Sequence, residues 1–437
     1  MFPSFSEYFR LLEIGLVDYY GWVFFVWLLI WLFYKIHIID RQNVYGNSIE
    51  WVFLEIKVDI LNERSPLAME QVFAALHAIH TNYTWGEKFD GKVVLWLSCE
   101  IVSFGGNVKY IIKIPKRYRP LLESAIFAQY PKAEIKETVD YLANLPHYYV
   151  PEEVDFDFWG TQFLKKKDGA YPIRVYESFE HSSQETFIDP LSNVLEVMSN
   201  IEPYELLASQ IVIRPVNDDW KQHTKHVLDK LKGAPEHHEN SVLDKLIFWL
   251  PDFIMDVIVT HILGVEKDEH SVEHVKDEPP SQMLHKTEGE KDVIGAIEHA
   301  MSKVSYEAKL RLLYIAPKGR FNKGIRVPEV IGSYRNFDDV NLNGTKPDIR
   351  HTWTDHPYKI NERLEKPYLK YKIITKKRHL WHNFLLRSVW RGTGQTYFNT
   401  EELATLYHFP VSPNVRVSQV GQVTTVKSAP PSDLPIG

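Results

Sequence analysis

Two short strings in this 437-residue sequence contain residue types that could bind zinc or phosphate. His270, Glu273 and His274 form an HxxEH string, in which two histidines can bind zinc and the carboxylate can act as a base. This string lies in a polar stretch, whereas zinc catalysis needs a rigid helix and a third ligand. Residues 391–396, RGTGQT, lack the lysine and the spacing of a phosphate-binding loop. We therefore expect no catalytic, metal-binding or cofactor-binding residue and predict a non-enzymatic protein.

A basic segment, residues 363–391, is the candidate binding site. It combines many cations with tyrosines and tryptophans and one acidic side chain, Glu365, in a chain whose formal net charge is −7. Cations beside aromatic rings can bind anionic lipid, an acidic protein surface or nucleic acid, and they can equally form a solvated strand or helix face. The candidate polyanion-binding residues are Lys366, Lys370, Lys372, Lys376, Lys377, Arg378, Arg387 and Arg391.

Composition indicates a globular chain that is large enough for two or three compact units. Hydrophobic residues make up 44% and aromatic residues 13% of the sequence. The single cysteine, Cys99, excludes an internal disulfide and a thiolate metal cluster. Its strand-like apolar setting predicts a buried thiol, and the low cysteine content fits a reducing compartment.

An apolar stretch near the amino terminus predicts a transmembrane helix over residues 18–39. Residues 19–34, YYGWVFFVWLLIWLFY, contain no charged side chain, and tyrosines and tryptophans lie at both ends of the stretch. A buried core helix is the alternative. Acidic residues precede the stretch, whereas Lys35 and Arg41 follow it, so the charge bias predicts residues 1–17 outside and the remaining chain in the cytoplasm.

The remaining chain alternates strand and helix patterns, which predicts an α+β fold with two units. Residues 48–142 follow the order βαββαβ with Gly105-Gly106 at a hairpin, so we expect a ferredoxin-like unit. Residues 158–410 predict a second, similar unit that is interrupted by an insertion over residues 217–291.

The insertion and the carboxyl-terminal tail differ in composition from both units. Residues 242–265 are apolar, yet their charged side chains fall within about 120° of a helical wheel. This pattern predicts an amphipathic helix that lies on a membrane or docks on a partner, or alternatively a kinked core helix. Residues 267–291 predict a disordered linker, and the proline-rich residues 411–437 predict an extended tail.

Several strings after the apolar stretch resemble, in collinear order, one known type of domain. They lie at residues 65–80, 99–135, 204–215, 306–317 and 398–410, where the last string reads FNTEELATLYHFP. The resemblance is to the N-terminal membrane-associated domain of bacterial type IV secretion and conjugative DNA-transfer ATPases of the HerA/FtsK-like class. In those proteins a motor domain begins soon after the sequence that matches residues 429–435, and no position of this chain matches a catalytic residue of that motor.

The resemblance implies a scaffold or accessory subunit in the bacterial inner membrane. Its expected partners are the lipid bilayer, a separately encoded motor ATPase or another secretion subunit, and further copies of itself, since such domains often form rings. The chain could be a natural split subunit or a paralogue without a motor. The alternative function is a membrane-tethered protein that binds DNA or anionic lipid through the basic segment.

Overall fold

The computed structural model describes residues 21–59, 62–180, 189–233, 286–354, 362–392, 394, 396–411 and 422–423. The chain divides into two compact units. One consists of residues 1–218 with 303–437, and we call it the main body. The other, residues 219–302, we call the inserted unit.

Ten strands of the main body form a single sheet. They are β1 (Trp51–Asp59), β2 (Leu97–Phe104), β3 (Asn107–Pro115), β4 (Glu134–Thr138), β5 (Phe156–Lys165), β6 (Leu206–Pro215), β7 (Ser305–Pro317), β8 (Thr345–Pro347), β9 (Thr396–Asn399) and β10 (Gln422–Val423). The strand order is β10-β1-β3-β2-β6-β7-β5-β8. Strand β4 also pairs with β1, and β9 pairs with β7. Strand β10 lies in the predicted tail, and it runs parallel to β1.

Helices of the main body connect these strands or precede them. They are α1 (Gly21–Asn47), α2 (Pro66–Leu76), α3 (Trp85–Phe89), α4 (Arg119–Gln129), α5 (Glu177–Glu180), α6 (Ser192–Ser199), α9 (Lys323–Ser333), α10 (Glu362–Leu386) and α11 (Thr400–Leu406), while α7 (Asp219–Lys232) and α8 (Glu288–Ser302) belong to the inserted unit. Helix α2 begins as its sequence predicts, because Ser65 precedes it and Pro66 occupies its first turn. In the part of the chain that the structure describes, no helix has the length and apolar character that crossing a bilayer requires.

Two stretches of the sheet share one order of pairing. Strands β1 to β4 are arranged as β4-β1-β3-β2, and strands β5 to β8 as β8-β5-β7-β6, with antiparallel pairing throughout. In each stretch a strand lies between the two strands that a helix connects, which is the arrangement of a split βαβ unit. Strands β2 and β6 then pair with each other, for example at Cys99 and Ile211.

The α+β class is therefore confirmed, but the sheet is larger than the two predicted units with a ferredoxin-like fold would form. The boundary predicted between residues 142 and 158 does not divide the main body, because β2 and β6 join both stretches into one sheet. With β9 and β10 added, the sheet also exceeds the eight strands of two ferredoxin-like units. The physical reason is that β2 would otherwise leave a row of unpaired backbone groups at an edge.

Helices and connecting segments cover both faces of the sheet. On one face, alternate strand residues such as Ile101, Ile211 and Leu312 join a core with residues of α2, α4, α6, α9 and α11. On the other face, Val102, Ala208 and Leu313 pack with residues of α10 and of the segment before β5. The thiol of Cys99 is buried in the first core, as its strand pattern predicts.

The described residues of the inserted unit contain two helices that contact each other, α7 and α8. An ion pair joins Lys232 to Glu298 across them. The prediction of disorder up to residue 291 is wrong at its end, because α8 begins at Glu288. Thr287 and Glu290 bond reciprocally at its start, which is a capping box. The predicted amphipathic helix over 242–265 lies outside the described residues.

Candidate anion-binding site

The basic segment forms one helix, α10, followed by a loop that returns to the sheet. Leu380, Trp381 and Phe384 face the sheet and are buried in the second core. This stripe of apolar residues at helical spacing fixes which cations point outward. Lys370, Lys372 and Arg378 on α10 and Arg391 in the loop are exposed. The side chain of Lys366 lies outside the described residues.

Arg387 is buried inside the main body and does not belong to an exposed patch, so its prediction as a binding residue is wrong. Its Nε donates to Glu100 Oε1 at 2.7 Å, and its two terminal nitrogens donate to both oxygens of Asp140 at 2.7 and 2.8 Å. Burial lowers the pKa of Arg387, but the charges of Glu100, Tyr141 and Asp140 outweigh it and raise the pKa above its ordinary value. The guanidinium thus holds the end of α10 to the sheet.

Three further cations of the segment bond to neighbouring parts of the main body. Lys377 pairs with Asp157, and Arg378 Nε donates to the carbonyl of Tyr149 at 3.2 Å. Lys376 Nζ donates to the carbonyl of Ile349 at 3.1 Å. Burial raises the pKa of Asp157, but bonding to Lys377 outweighs this and holds the pKa below its ordinary value. These cations dock α10 as well as contributing charge.

A pocket of about 420 Å³ opens between α10 and the segment after β8. Its lining includes Arg350 and His351 from that segment and Tyr371, Lys372, Lys376 and His379 from α10. Burial, and next the charge of Lys372, lower the pKa of Lys376, while Asp348 acts in the opposite direction. The pocket thus concentrates positive charge around a concave surface, which suits an anion.

Behind this pocket, a row of polar side chains crosses three strands under α10. Glu100, Gln210 and Arg311 are aligned on β2, β6 and β7 and are fully buried. Arg311 donates to the backbone oxygens of Asn383, Ser388 and Arg391 at 3.2, 2.5 and 2.9 Å. Burial lowers the pKa of Arg311 to about 9. Its bonds fix the end of α10 and the loop beside the pocket.

Sequence reasoning missed several of these residues. Glu100, Gln210 and Arg311 interrupt strongly apolar strands, and this interruption was the available signal for a buried polar row. His379 lies within the basic segment but was not counted with its cations. Arg350 gave no signal, because its place beside α10 depends on folding of distant parts of the chain.

A second surface of the main body is apolar and belongs to α1. The ten consecutive residues 25–34 are all exposed, by 38 to 74% of their surface, and include Phe25, Leu29, Ile30 and Phe33. Consecutive helical positions point in all directions, so the helix exposes apolar side chains around its whole circumference. Such a surface is unfavourable in water.

The loop of residues 84–92, which contains the short helix α3, packs against α1 just beyond that apolar surface. The ring of Phe89 lies 4.5 Å from that of His37, while Trp85 stacks on Phe89 and is 73% exposed. Gly91 has φ +84°, and a Cβ there would lie 2.3 Å from the carbonyl carbon of Arg41. Close backbone contact therefore holds this aromatic loop to the helix.

Comparison with known proteins gives one family. The model of a family described as a domain of unknown function, DUF8128, matches residues 41–351. This range begins within α1, passes through the inserted unit and ends at the pocket residue His351. No protein with a curated description matches the chain.

Proposed function

The chain belongs to the DUF8128 family, and from its own residues we propose that it is a non-enzymatic, membrane-anchored scaffold. In this proposal residues 18–39, of which residues 18–20 lie outside the described part of the chain, form a single-pass anchor in the bacterial inner membrane, with the amino terminus outside and the main body in the cytoplasm. The main body holds a partner at that face. The observation that carries the proposal is the apolar surface of residues 25–34, which is exposed on all sides of α1.

The residues at the end of the apolar surface support an anchor at this position. Tyr34 is its last residue, Lys35 and Trp85 lie next to it, and such aromatic and cationic side chains are typical of the boundary between lipid and water. Lys35 Nζ lies 5.7 Å from the ring of Trp31, one turn back along the helix, in a cation–π contact. The loop of residues 84–92 would then set the depth of the main body.

Buried charges of the main body support a non-enzymatic role. Arg387 pairs with Glu100 and Asp140, and Lys165 pairs with Glu402 at 2.8 Å in a fully packed setting. Buried charged groups of this kind are candidates for catalytic residues. Their bonds join one element to another, which is a structural use.

The proposed partner is a motor ATPase of a type IV secretion or conjugation-like machine, encoded separately, and the main body also assembles with further copies of itself. The resemblance of residues 398–410 and the other strings to such proteins motivates this part. Affinity purification of the full chain from a detergent extract, after chemical cross-linking, should recover a nucleoside triphosphatase. Repeated recovery of the chain without any nucleoside triphosphatase would contradict the scaffold.

The second candidate is a membrane-tethered protein that binds DNA or anionic lipid. It is favoured by one observation, the exposure of Lys370, Lys372, Arg378 and Arg391 along and after α10. Purified protein should then retard DNA on a gel, with an affinity that falls steeply as salt increases. Absence of retardation at low salt would exclude DNA, and vesicles with and without anionic lipid would test the other ligand.

A further inference from the structure

We propose that the pocket beside α10 binds a phosphorylated small molecule, with its phosphate against Arg350, Lys372 and Lys376 and its apolar part against Tyr371 and Leu380. This inference goes beyond the scaffold function and does not depend on the membrane anchor. It concerns a single concave site, whereas the candidate polyanion patch is spread along the basic segment.

The charges of the pocket favour a compact anion. Lys372 and Lys376 are close enough that the charge of Lys372 lowers the pKa of its neighbour. Arg350 lies on the segment after β8, whereas Lys372 and Lys376 lie on α10, so the three cations line the pocket from two sides. The charge of Asp348 opposes the effect of Lys372 on Lys376, and the Asp348 carboxylate bonds His351 Nδ1 at 3.1 and 3.2 Å. A bound phosphate would relieve the repulsion between the lysines, and arginine can bind it with two parallel bonds.

The remaining lining favours a ligand with an apolar or aromatic part. Tyr371 is 68% exposed, so its ring is free to stack on a planar group, and Leu380 forms the inner wall. The volume of about 420 Å³ lies within the range of small-molecule sites. A nucleoside monophosphate has this combination of a planar group and a dianion. An extended polyanion would contact the outer cations without filling the inner wall.

The walls of the pocket are held in place by the main body. Lys376 bonds the carbonyl of Ile349, which ties α10 to the wall that carries Arg350. Gly392 lines the pocket with φ +104°, and a Cβ there would lie 2.5 Å from Gln162 Oε1. Arg311 holds the preceding loop through its bond to Arg391. The pocket is therefore preorganised, which reduces the conformational entropy lost when a ligand binds.

Titration of the purified full chain in detergent tests this inference, with adenosine monophosphate, inorganic phosphate and adenosine as probes. Adenosine monophosphate should bind, inorganic phosphate should compete with it, and adenosine should bind at least tenfold more weakly. Arg350→Met and Lys372→Met should each weaken binding of the monophosphate by about tenfold or more, because each removes a charged hydrogen bond. Both side chains are exposed, so the variants should remain folded.

Lys370→Met is the matched control, since it removes the same charge from the same helix outside the pocket. It should change the affinity by less than about twofold. The inference is overturned if neither phosphate-containing probe binds at about 10 mM, or if adenosine binds as tightly as its monophosphate. It is also overturned if all three variants weaken binding of the monophosphate equally. DNA binding that Lys370→Met and Lys372→Met weaken equally, together with no binding of the monophosphate, would overturn it as well.

Discussion

Buried Arg387 pairs with two carboxylates, Glu100 and Asp140. Arg387→Met should lower the free energy of unfolding by about 3–5 kcal/mol, because Glu100 and Asp140 would remain buried or half-buried without their cation. Denaturant unfolding of the purified protein measures this loss. Arg378→Met is the control on the exposed side of α10, and it should cost less than about 1 kcal/mol. An equal loss of unfolding free energy in Arg387→Met and Arg378→Met would contradict the stabilising role of the buried ion pair.

The lowered pKa of Lys113 predicts how the free energy of unfolding depends on pH. Burial, followed by repulsion from Arg387, lowers its pKa from 10.5 to about 8. Between these values the unfolded chain holds a proton that the folded chain has released, so stability should rise as pH increases from about 8 to 10.5. Lys309, with a pKa also near 8, adds to the same rise.

Lys113→Met should reduce this rise and increase the free energy of unfolding at pH 7 by about 1–3 kcal/mol, since the cost of burying the charge disappears. Unfolding curves at pH 7, 8, 9 and 10 provide the measurement. Lys116→Met, which removes an exposed lysine paired with Glu50, should leave the rise unchanged. An unaltered slope in Lys113→Met would show that Lys113 keeps an ordinary pKa.

Some of these residues were predictable from the sequence and others were not. The burial of Cys99 followed from the apolar alternation around it, which is local information. The positive charges of Lys377 and Arg387 were equally visible, but their acidic partners are 220 and 287 positions away along the chain. Only folding brings those partners together, so charge pattern alone suggested a surface patch.

Among the elements, the loop of residues 84–92 depends on one glycine. Gly91→Ala should loosen the loop from α1, because φ is +84° and the new Cβ would meet the backbone of Arg41. We expect a loss of about 1–3 kcal/mol and faster trypsin cleavage at Lys88 and Lys92. Gly86→Ala has no atom within 4 Å of its new Cβ and should leave the cleavage rate unchanged. Identical cleavage of both variants would contradict the close contact.

Elements with clear local patterns were predicted closely, and short or mixed ones were not. Strand β3 occupies residues 107–115, directly after the predicted hairpin at Gly105-Gly106. Strand β5 begins at Phe156, before the predicted start of the second unit at residue 158, because the acidic connector conceals the alternation. The strands β8 and β9 have three and four residues, too few to form a pattern. Helix α10 mixes cations with apolar residues, so its 25-residue length was not apparent.

At the scale of the whole molecule, the inserted unit interrupts a hairpin between neighbouring strands. Strands β6 and β7 pair antiparallel to their ends, where Pro215 is opposite Tyr306. Replacing residues 219–302 with a four-residue loop containing Asn-Gly should therefore leave the main body folded. Its melting temperature should stay within about 4 °C of the full chain. An aggregated or unfolded product would contradict the division into two compact units.

The continuous sheet was not predictable from local patterns. Residues 51–138 show the order βαββαβ in sequence, and the same order recurs from β5 to β8 around the insertion. Nothing within either stretch specifies that β2 and β6 pair, since that contact joins residues more than 100 positions apart. The α+β class follows from periodicity, whereas the union of both stretches follows from the need to cover two edge strands.

Anchoring by α1 is the central claim of the proposed function, and extraction of membranes with alkaline carbonate tests it most directly. The full chain should remain in the membrane pellet. A variant with Leu29→Lys and Ile30→Lys should move to the supernatant, because each charge at the middle of a spanning helix costs about 2.5–3.5 kcal/mol. The matched control, Val139→Lys with Val340→Lys, changes two residues that are 78% and 92% exposed and should stay in the pellet. Recovery of the unaltered chain in the supernatant, or of the Leu29 and Ile30 variant in the pellet, would contradict the anchor.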